Sequence, residues 1–264
     1  MFQLSPIGVV HSPNDFDNDR YPFYCPAQIE IKPQFIPALA RLEESSHIWV
    51  ICLFEQQKDP VMQIKPKRIN SHTDSFGVFA LRSPNHPNPL SLTLTKLNKI
   101  EENFLYVEAL DAYDGTPVLD IKPYYEDDIV FSPRTPVINK ENIKLRRSIL
   151  LKAAINHHQE ECLGLALAIK MALYIESLGL NIQDNDLFIL VNGGPCLADT
   201  LQGLCRARLA NPARFAYTES EEDSCRWIYK NKTIDLSVKK GIPQDPQKIL
   251  NMTDEDLFHI KISS

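Results

Sequence analysis

The chain has 264 residues, 44% apolar and 23% charged, with a formal net charge of −6. That length fits one large domain or two ordinary ones, and the composition excludes a disordered or fibrous chain. No apolar run reaches membrane-spanning length, and residues 1–10 lack the basic and apolar regions of a signal peptide, so a cytoplasmic location is expected. The charge is uneven: residues 1–136 hold 12 Lys and Arg against 18 Asp and Glu, while the remainder is balanced. An acidic half disfavours a polyanionic partner, because cationic side chains normally supply most nucleic-acid affinity. Two local clusters offset this, Lys65-Pro66-Lys67-Arg68 and Lys144 with Arg146 and Arg147, although each also reads as a solvated face. The six cysteines form no CxxC pair and read as reduced, mostly buried thiols.

In chain order, the first half carries short β-type runs at residues 7–10, 29–31, 48–54, 77–81, 90–97 and 105–110, separated by Pro, Asn and Asp. Several alternate apolar and polar residues, and Leu90-Ser91-Leu92-Thr93-Leu94-Thr95 keeps a strict period of two. Many strands at short spacing predict an all-β barrel or sandwich, with one short helix over residues 33–42. Pro133 and Pro136 lead into a charged stretch at residues 139–147, which places a domain boundary within 130–150. The texture then changes. Residues 163–178 read as a long helix stopped by Gly179, 187–191 as a buried strand and 198–209 as a second helix. Residues 226–238 read as a hairpin about Asn231-Lys232, and Thr253 as the cap of a last helix. The expected architecture is two domains: a β-barrel over 1–136 and an α/β or α+β domain over 148–264.

Three blocks in the first half carry functional information. The first is Ser46-His47-Ile48-Trp49-Val50, running through a strand to Phe54-Glu55-Gln56. The second is Gly77-Val78-Phe79-Ala80-Leu81-Arg82-Ser83-Pro84, then Asn85-His86-Pro87-Asn88-Pro89-Leu90. It reads as a strand ending in an arginine, followed by a loop whose three prolines fix φ and shape it. Arg82 offers a planar fork to a carboxylate or phosphate, or simply a surface ion pair. The third is Asp114-Gly115-Thr116-Pro117-Val118-Leu119-Asp120-Ile121-Lys122-Pro123-Tyr124, a tight turn and a strand. Strand alternation puts Asp120 and Lys122 on one face and Leu119 and Ile121 on the other. Alone, this is a turn with a solvated Asp–Lys pair.

Together, and with Ile7-Gly8-Val9-Val10-His11-Ser12-Pro13, these blocks resemble the TrmO (YaeB-like) family over nearly the whole first domain. The resemblance implies a small β-barrel that binds S-adenosylmethionine outside the Rossmann scheme. It also implies a homodimer with its site near the interface between the copies, and methylation of N6 of threonylcarbamoyladenosine in tRNA. Carried over by position, the cofactor contacts fall on Gln28, Ile29, Glu30 and Ile31, on Glu55 and Gln56, on Arg82 and Leu92, and on Glu108, Ala109, Leu110 and Asp111. Asp120, Lys122 and Tyr124 are the candidates for orienting the acceptor. Methyl transfer from a sulfonium is an in-line displacement that loses cationic charge, so positioning and water exclusion carry most of the rate.

The chain departs from the family pattern in places. Where the family has Pro-Arg-Gln, Phe-His and a second loop arginine, this sequence has Pro26-Ala27-Gln28, Phe54-Glu55 and His86. Arginine is lost twice and a negative charge is gained, which points to a retained methyl donor and an altered acceptor. The alternative is an S-adenosylmethionine-binding protein that senses the molecule or acts on a small-molecule acceptor.

In the second half, His158 and Cys162, with Cys196, Asp199 and Gln202, loosely resemble two motifs of FmdE-type domains, which are relatives of a formylmethanofuran dehydrogenase component. That resemblance implies a metal site at two helix N-termini, with His158, Cys162, Cys196 and Asp199 as ligands. Buried structural cysteines are the competing reading.

Overall fold

The computed structural model describes residues 4–13, 25–54, 61–67, 69–131, 133, 135 and 142–263. It divides into two compact units between Leu145 and Arg146. In the first unit the strands are β1 (Gly8–His11), β2 (Cys25–Ile31), β3 (His47–Leu53), β4 (Gln63–Ile64), β5 (Phe76–Gly77), β6 (Leu90–Glu101), β7 (Phe104–Leu110) and β8 (Pro117–Pro123). Six of them close a barrel in the order β1-β2-β7-β6-β3-β8, with β4 and β5 paired separately. Val10, Ile29, Ile31, Ile48, Val50 and Leu105 fill its interior with no exposed surface.

The short β1 closes the barrel by pairing with β2 on one side and β8 on the other. Gly8 stands at that closure. A Cβ there would lie 3.2 Å from the Glu30 carbonyl carbon and from Ile31 Cδ1, and closer still to the Glu30 carbonyl oxygen. The Asp114–Thr116 turn is tied to the same strand. Gly115 N–H donates to Val10 O, Val10 N–H to Thr116 O, and Ser12 N–H to Asp114 Oδ1. Gly115 adopts φ +80°, a conformation that disfavours any side chain.

Strand β6 turns its polar edge inward. Ser91, Thr93 and Thr95 are buried, whereas Leu90 and Leu92 are 40% and 45% exposed. Thr95 Oγ1 accepts the Ala109 N–H at 3.2 Å, which satisfies a backbone donor left over by a β-bulge in β7. Beside Ser91, the Cys52 thiol is pushed up from its ordinary 9.0 to about 11 by burial, with the Ser91 hydroxyl pulling the other way.

Three expectations are corrected. Residues 33–42 form not an α-helix but 3-10 turns, Pro33–Leu39 and Leu42–Glu44. Pro37 lacks the donor a helix needs, and Arg41 is left-handed at φ 66°. Of residues 77–81 only Gly77 is in a strand, as the end of the two-residue β5; a 3-10 turn, Val78–Ala80, follows it. In β8 the alternation slips, because Ile51 pairs with Asp120 but Cys52 pairs with Val118. Leu119 is the extra residue of that bulge, so Val118 and Ile121 both reach the core while Asp120 and Lys122 stay outside.

Helix α1 (Ile143–His158), unexpected from its charged start, carries the chain across the division. The second unit continues with α2 (Leu163–Ser177), β9 (Leu187–Gly193), α3 (Pro195–Cys205), β10 (Phe215–Glu219), β11 (Ser224–Tyr229), β12 (Lys232–Val238), α4 (Pro246–Asn251), α5 (Asp254–Leu257) and β13 (Phe258–Ser263). The sheet order is β10-β9-β11-β12-β13, with only β10 and β9 parallel, which makes an α+β fold. The apolar α2 and the inner faces of β9 and β11 form its core around Trp227. Arg214 is buried and donates to the carbonyls of Asp184, Leu187, Cys205 and Arg206, locking the end of α3 to the entry of β9. Among the described residues no helix is long and apolar enough to cross a membrane.

Two outcomes are expected. Gly8→Ala should destabilise the barrel by about 1–3 kcal/mol through overpacking, read as a lowered melting transition in calorimetry. Cys52 has its folded pKa raised, so its contribution is fully present below pH 9 and is lost as pH rises toward 11. Barrel stability should therefore fall by about 2 kcal/mol over that window, and the same denaturation series on Cys52→Ala should lack the step.

Candidate functional site

The outer face of β6, β3 and β8 forms a grid. Leu92, Ile51 and Asp120 make one row, and Leu94, Trp49 and Lys122 the next. The Tyr124 N–H donates to His47 O at 3.0 Å and continues the pattern. The Tyr124 ring lies 6.1 Å from Trp49 and 6.5 Å from His47 between centroids. The Arg82 guanidinium stands 6.0 Å from the Trp49 ring centroid, at the edge of cation–π range. Asp120 Oδ2 pairs with Lys122 Nζ at 2.7 Å, and Asp120 Oδ1 accepts the Ile121 N–H at 2.9 Å. One face thus gathers Arg82, Leu92, Asp120, Lys122 and Tyr124. It combines an apolar strip with a cation, a carboxylate and aromatic rings, the mix that suits a ligand with an aromatic base and charged ends.

The remaining expected cofactor positions lie elsewhere. Ile29 and Ile31 point into the core and their backbone is paired on both sides, so their side chains present nothing to solvent. Gln28 and Glu30 face outward on β2, three strands from β3 around the six-stranded barrel. Glu30 accepts from His11 Nε2 at 2.8 Å, and Gln28, His11 and Asp114 line a cleft of about 390 Å³. Glu108 and Asp111 are exposed on and just beyond β7, next to the β7 bulge, while Ala109 and Leu110 are buried. Glu55, Gln56 and Arg68 lie outside the described residues.

Sequence reasoning quoted Trp49, His47 and Phe79 within its motifs but gave them no role. The signal was present: Trp49 stands between the inward Ile48 and Val50, so its large ring had to face outward. Phe79 is 80% exposed and meets the His86 ring edge-on at 5.8 Å. His86 itself bonds the Leu81 carbonyl through Nε2 at 2.9 Å, which ties the ring to its own loop.

Against known proteins, residues 19–128 match the profile of the tRNA-methyltransferase O N-terminal domain. A "Probable S-adenosyl-L-methionine-binding protein" of Pyrococcus abyssi is 35% identical over 155 residues, 56% of this chain and 82% of that protein. The chain belongs to the TrmO family. A second "Probable S-adenosyl-L-methionine-binding protein", from Archaeoglobus fulgidus, is 30% identical over 223 residues, 80% of this chain and 60% of its own length. The mouse "tRNA (adenine(37)-N6)-methyltransferase" is 35% identical over 162 residues, 57% of this chain and 37% of its own length. The chain spans about half the length of several curated relatives it matches. The TrmO profile falls on the barrel and leaves the second unit of this family member outside it.

That second unit holds its own cluster. Ligand atoms of His158, Cys162 and Cys196 lie within 4.8 Å of one another. Cys162 caps α2, its Sγ accepting the Leu165 N–H, and Cys196 sits in the first turn of α3 behind Pro195. Gln159, left-handed at φ 66°, ends α1 and turns the chain between His158 and Cys162. Gly164 permits the approach of the two helices, because a Cβ there would lie 2.8 Å from Cys196 Cβ and from Leu197 N. Burial first, and then the neighbouring Cys162, hold the Cys196 thiol above its ordinary range. Three of the four expected ligands are thus together, while Asp199 stands behind His158, its Oδ2 2.7 Å from Nδ1.

Gly164→Ala should push the N-termini of α2 and α3 apart. The expected result is a loss of about 1–3 kcal/mol from overpacking and faster alkylation of Cys196 by iodoacetamide, followed by mass spectrometry.

Proposed function

We propose that the barrel is an S-adenosylmethionine-dependent methyltransferase acting on the N6 position of threonylcarbamoyladenosine in tRNA, and that it works as a homodimer. The observation that carries this reading is the outer face of β6, β3 and β8, where Arg82, Trp49, Tyr124, Leu92 and the Asp120–Lys122 pair converge in a TrmO-family barrel. In this reading Arg82 holds the methionine carboxylate, and Asp120, Lys122 and Tyr124 orient the acceptor. A second copy covers the exposed leucines. It also supplies the Gln28, Glu30, Glu108 and Asp111 positions, which one barrel holds on or beside β2 and β7, two strands and one strand away from that face. Placement in the cytoplasm belongs to the same reading.

A second reading of the acceptor rests on a specific contact. His86 occupies a loop position where the family pattern has an arginine, and its ring is bound to the Leu81 carbonyl rather than free for a phosphate. A small molecule in place of tRNA suits that contact better. In the second unit, the donor set of His158, Cys162 and Cys196 fits a divalent metal ion, and we propose that it binds one.

Tritiated-methyl transfer from S-adenosylmethionine to unmodified tRNA should occur, and Arg82→Ala should lower kcat/KM at least tenfold. Cofactor binding without transfer to tRNA, but with transfer to a small-molecule pool, would select the second acceptor. Leu92→Glu should give a monomer by light scattering and lose cofactor binding in calorimetry. A Leu92→Glu dimer that still binds the cofactor would overturn the composite site.

A further inference from the structure

We infer that the cluster in the second unit is an open zinc site: three protein ligands, with a fourth position left for water or the oxygen of a small polar molecule. This rests on the metal reading above and deepens it. In a tetrahedral zinc site with bonds of roughly 2.3 Å to sulfur and 2.0–2.1 Å to nitrogen, adjacent S and N ligands stand about 3.6 Å apart. His158 Nε2 and Cys162 Sγ are 3.4 Å apart, close to that edge. A neutral S–H donor gains little from such spacing, whereas two donors aimed at one ion require it.

The carboxylate decides the role of the imidazole. Asp199 Oδ2 lies 2.7 Å from His158 Nδ1, so Nδ1 carries the proton and Nε2 is left as a lone-pair donor facing the sulfurs. The other oxygen, Oδ1, lies 3.2 Å from His157 Nε2, so a single carboxylate anchors both histidines. Gly203 makes room for His157, since a Cβ there would collide with the ring. Asp199 is therefore a positioning residue and not a ligand. Among the described residues no other His, Cys, Asp or Glu joins the three donors.

Three ligands from N and S donors with one position open is the arrangement of catalytic zinc, whereas structural zinc closes its fourth position with protein. The two thiolates cancel the charge of the ion, so the open position suits a neutral oxygen ligand. Cys162 caps α2 and Cys196 lies in the first turn of α3, so the two sulfurs are brought together by the N-termini of two helices.

Cobalt substitution of the full-length protein tests this. One equivalent of Co2+ should give a sulfur-to-cobalt charge-transfer band and tetrahedral visible bands, both lost in Cys196→Ser. Adding azide or imidazole should shift the visible bands in a saturable way. Asp199→Asn should retain the bands but weaken Co2+ affinity roughly 10- to 100-fold, the usual effect of removing a ligand's orienting partner. Bound Co2+ with bands that neither azide nor imidazole moves would overturn the open position and leave the metal reading standing. Failure to bind Co2+ or Zn2+ after reduction and reconstitution would overturn both. Unchanged affinity in Asp199→Asn would overturn its positioning role. Cofactor binding, measured on the same samples, keeps these outcomes separate from the methyltransferase reading.

Discussion

The first unit depends on four residues closing a barrel. Without β1, strands β2 and β8 would present two unpaired edges, and an open, curled sheet exposes backbone donors and acceptors that pair with other chains. Closure demands that β1 fit between two neighbours, and Gly8 is the residue that allows it. It also explains the third sequence block. Asp114, Gly115 and Thr116 are spent on holding β1, Val118 on the core, and Asp120 and Lys122 on the outer face. The block looks like a single functional motif, yet only its second half faces a candidate ligand.

Bulges then set which side chains face where. A regular β8 would send Ile121 outward if Val118 points inward; the extra Leu119 resets the phase. A second bulge opposite Cys25–Ala27 leaves Ala109 and Leu110 both buried and Glu108 alone outside. The first half of β6 completes the arrangement by giving Ser91, Thr93 and Thr95 to the interior and Leu90 and Leu92 to the surface, while Leu97 farther along returns to the core. Burying hydroxyls is unfavourable unless they are bonded, and Thr95 meets that condition by taking the Ala109 N–H that the bulge leaves over. The apolar outer strip and the irregular strand are therefore consequences of one another.

Much of this was legible in the sequence. Strand positions followed from alternation, and the change of texture near residue 140 separated β from α+β. The helix stop at Gly179 followed from the residue type, and its φ of +80° is the conformation a glycine admits there. Other features were not legible, for identifiable reasons. Periodicity gives the strand but not which face is the core, so the leucines of β6 carried no direction. A bulge has no local signature, so Leu119 and Ile121 were assigned one face. Pro37 was a readable objection to a helix at residues 33–42, whereas α1 began in charged residues that resembled a linker. The residue types of the His158, Cys162 and Cys196 group were legible, but that Asp199 meets His158 Nδ1 instead of joining the group required the third dimension.

The two units solve a common problem in different ways. Both bring polar groups together where a side chain on a neighbouring backbone would keep them apart, and both use glycine to do it. Gly8 admits β1 between its partners, and Gly164 admits the N-terminus of α2 to that of α3. In the barrel the result is rigidity, because every edge is paired. In the second unit the result is convergence, since Cys162 and Cys196 come from segments 34 residues apart and meet only where the helices touch. A thiol pair so placed gains nothing from burial, which raises the Cys196 thiol and opposes its ionisation. A positive ion between the sulfurs would reverse that sign, so the close approach that is unfavourable for the two thiols alone is the feature on which the proposed metal site rests.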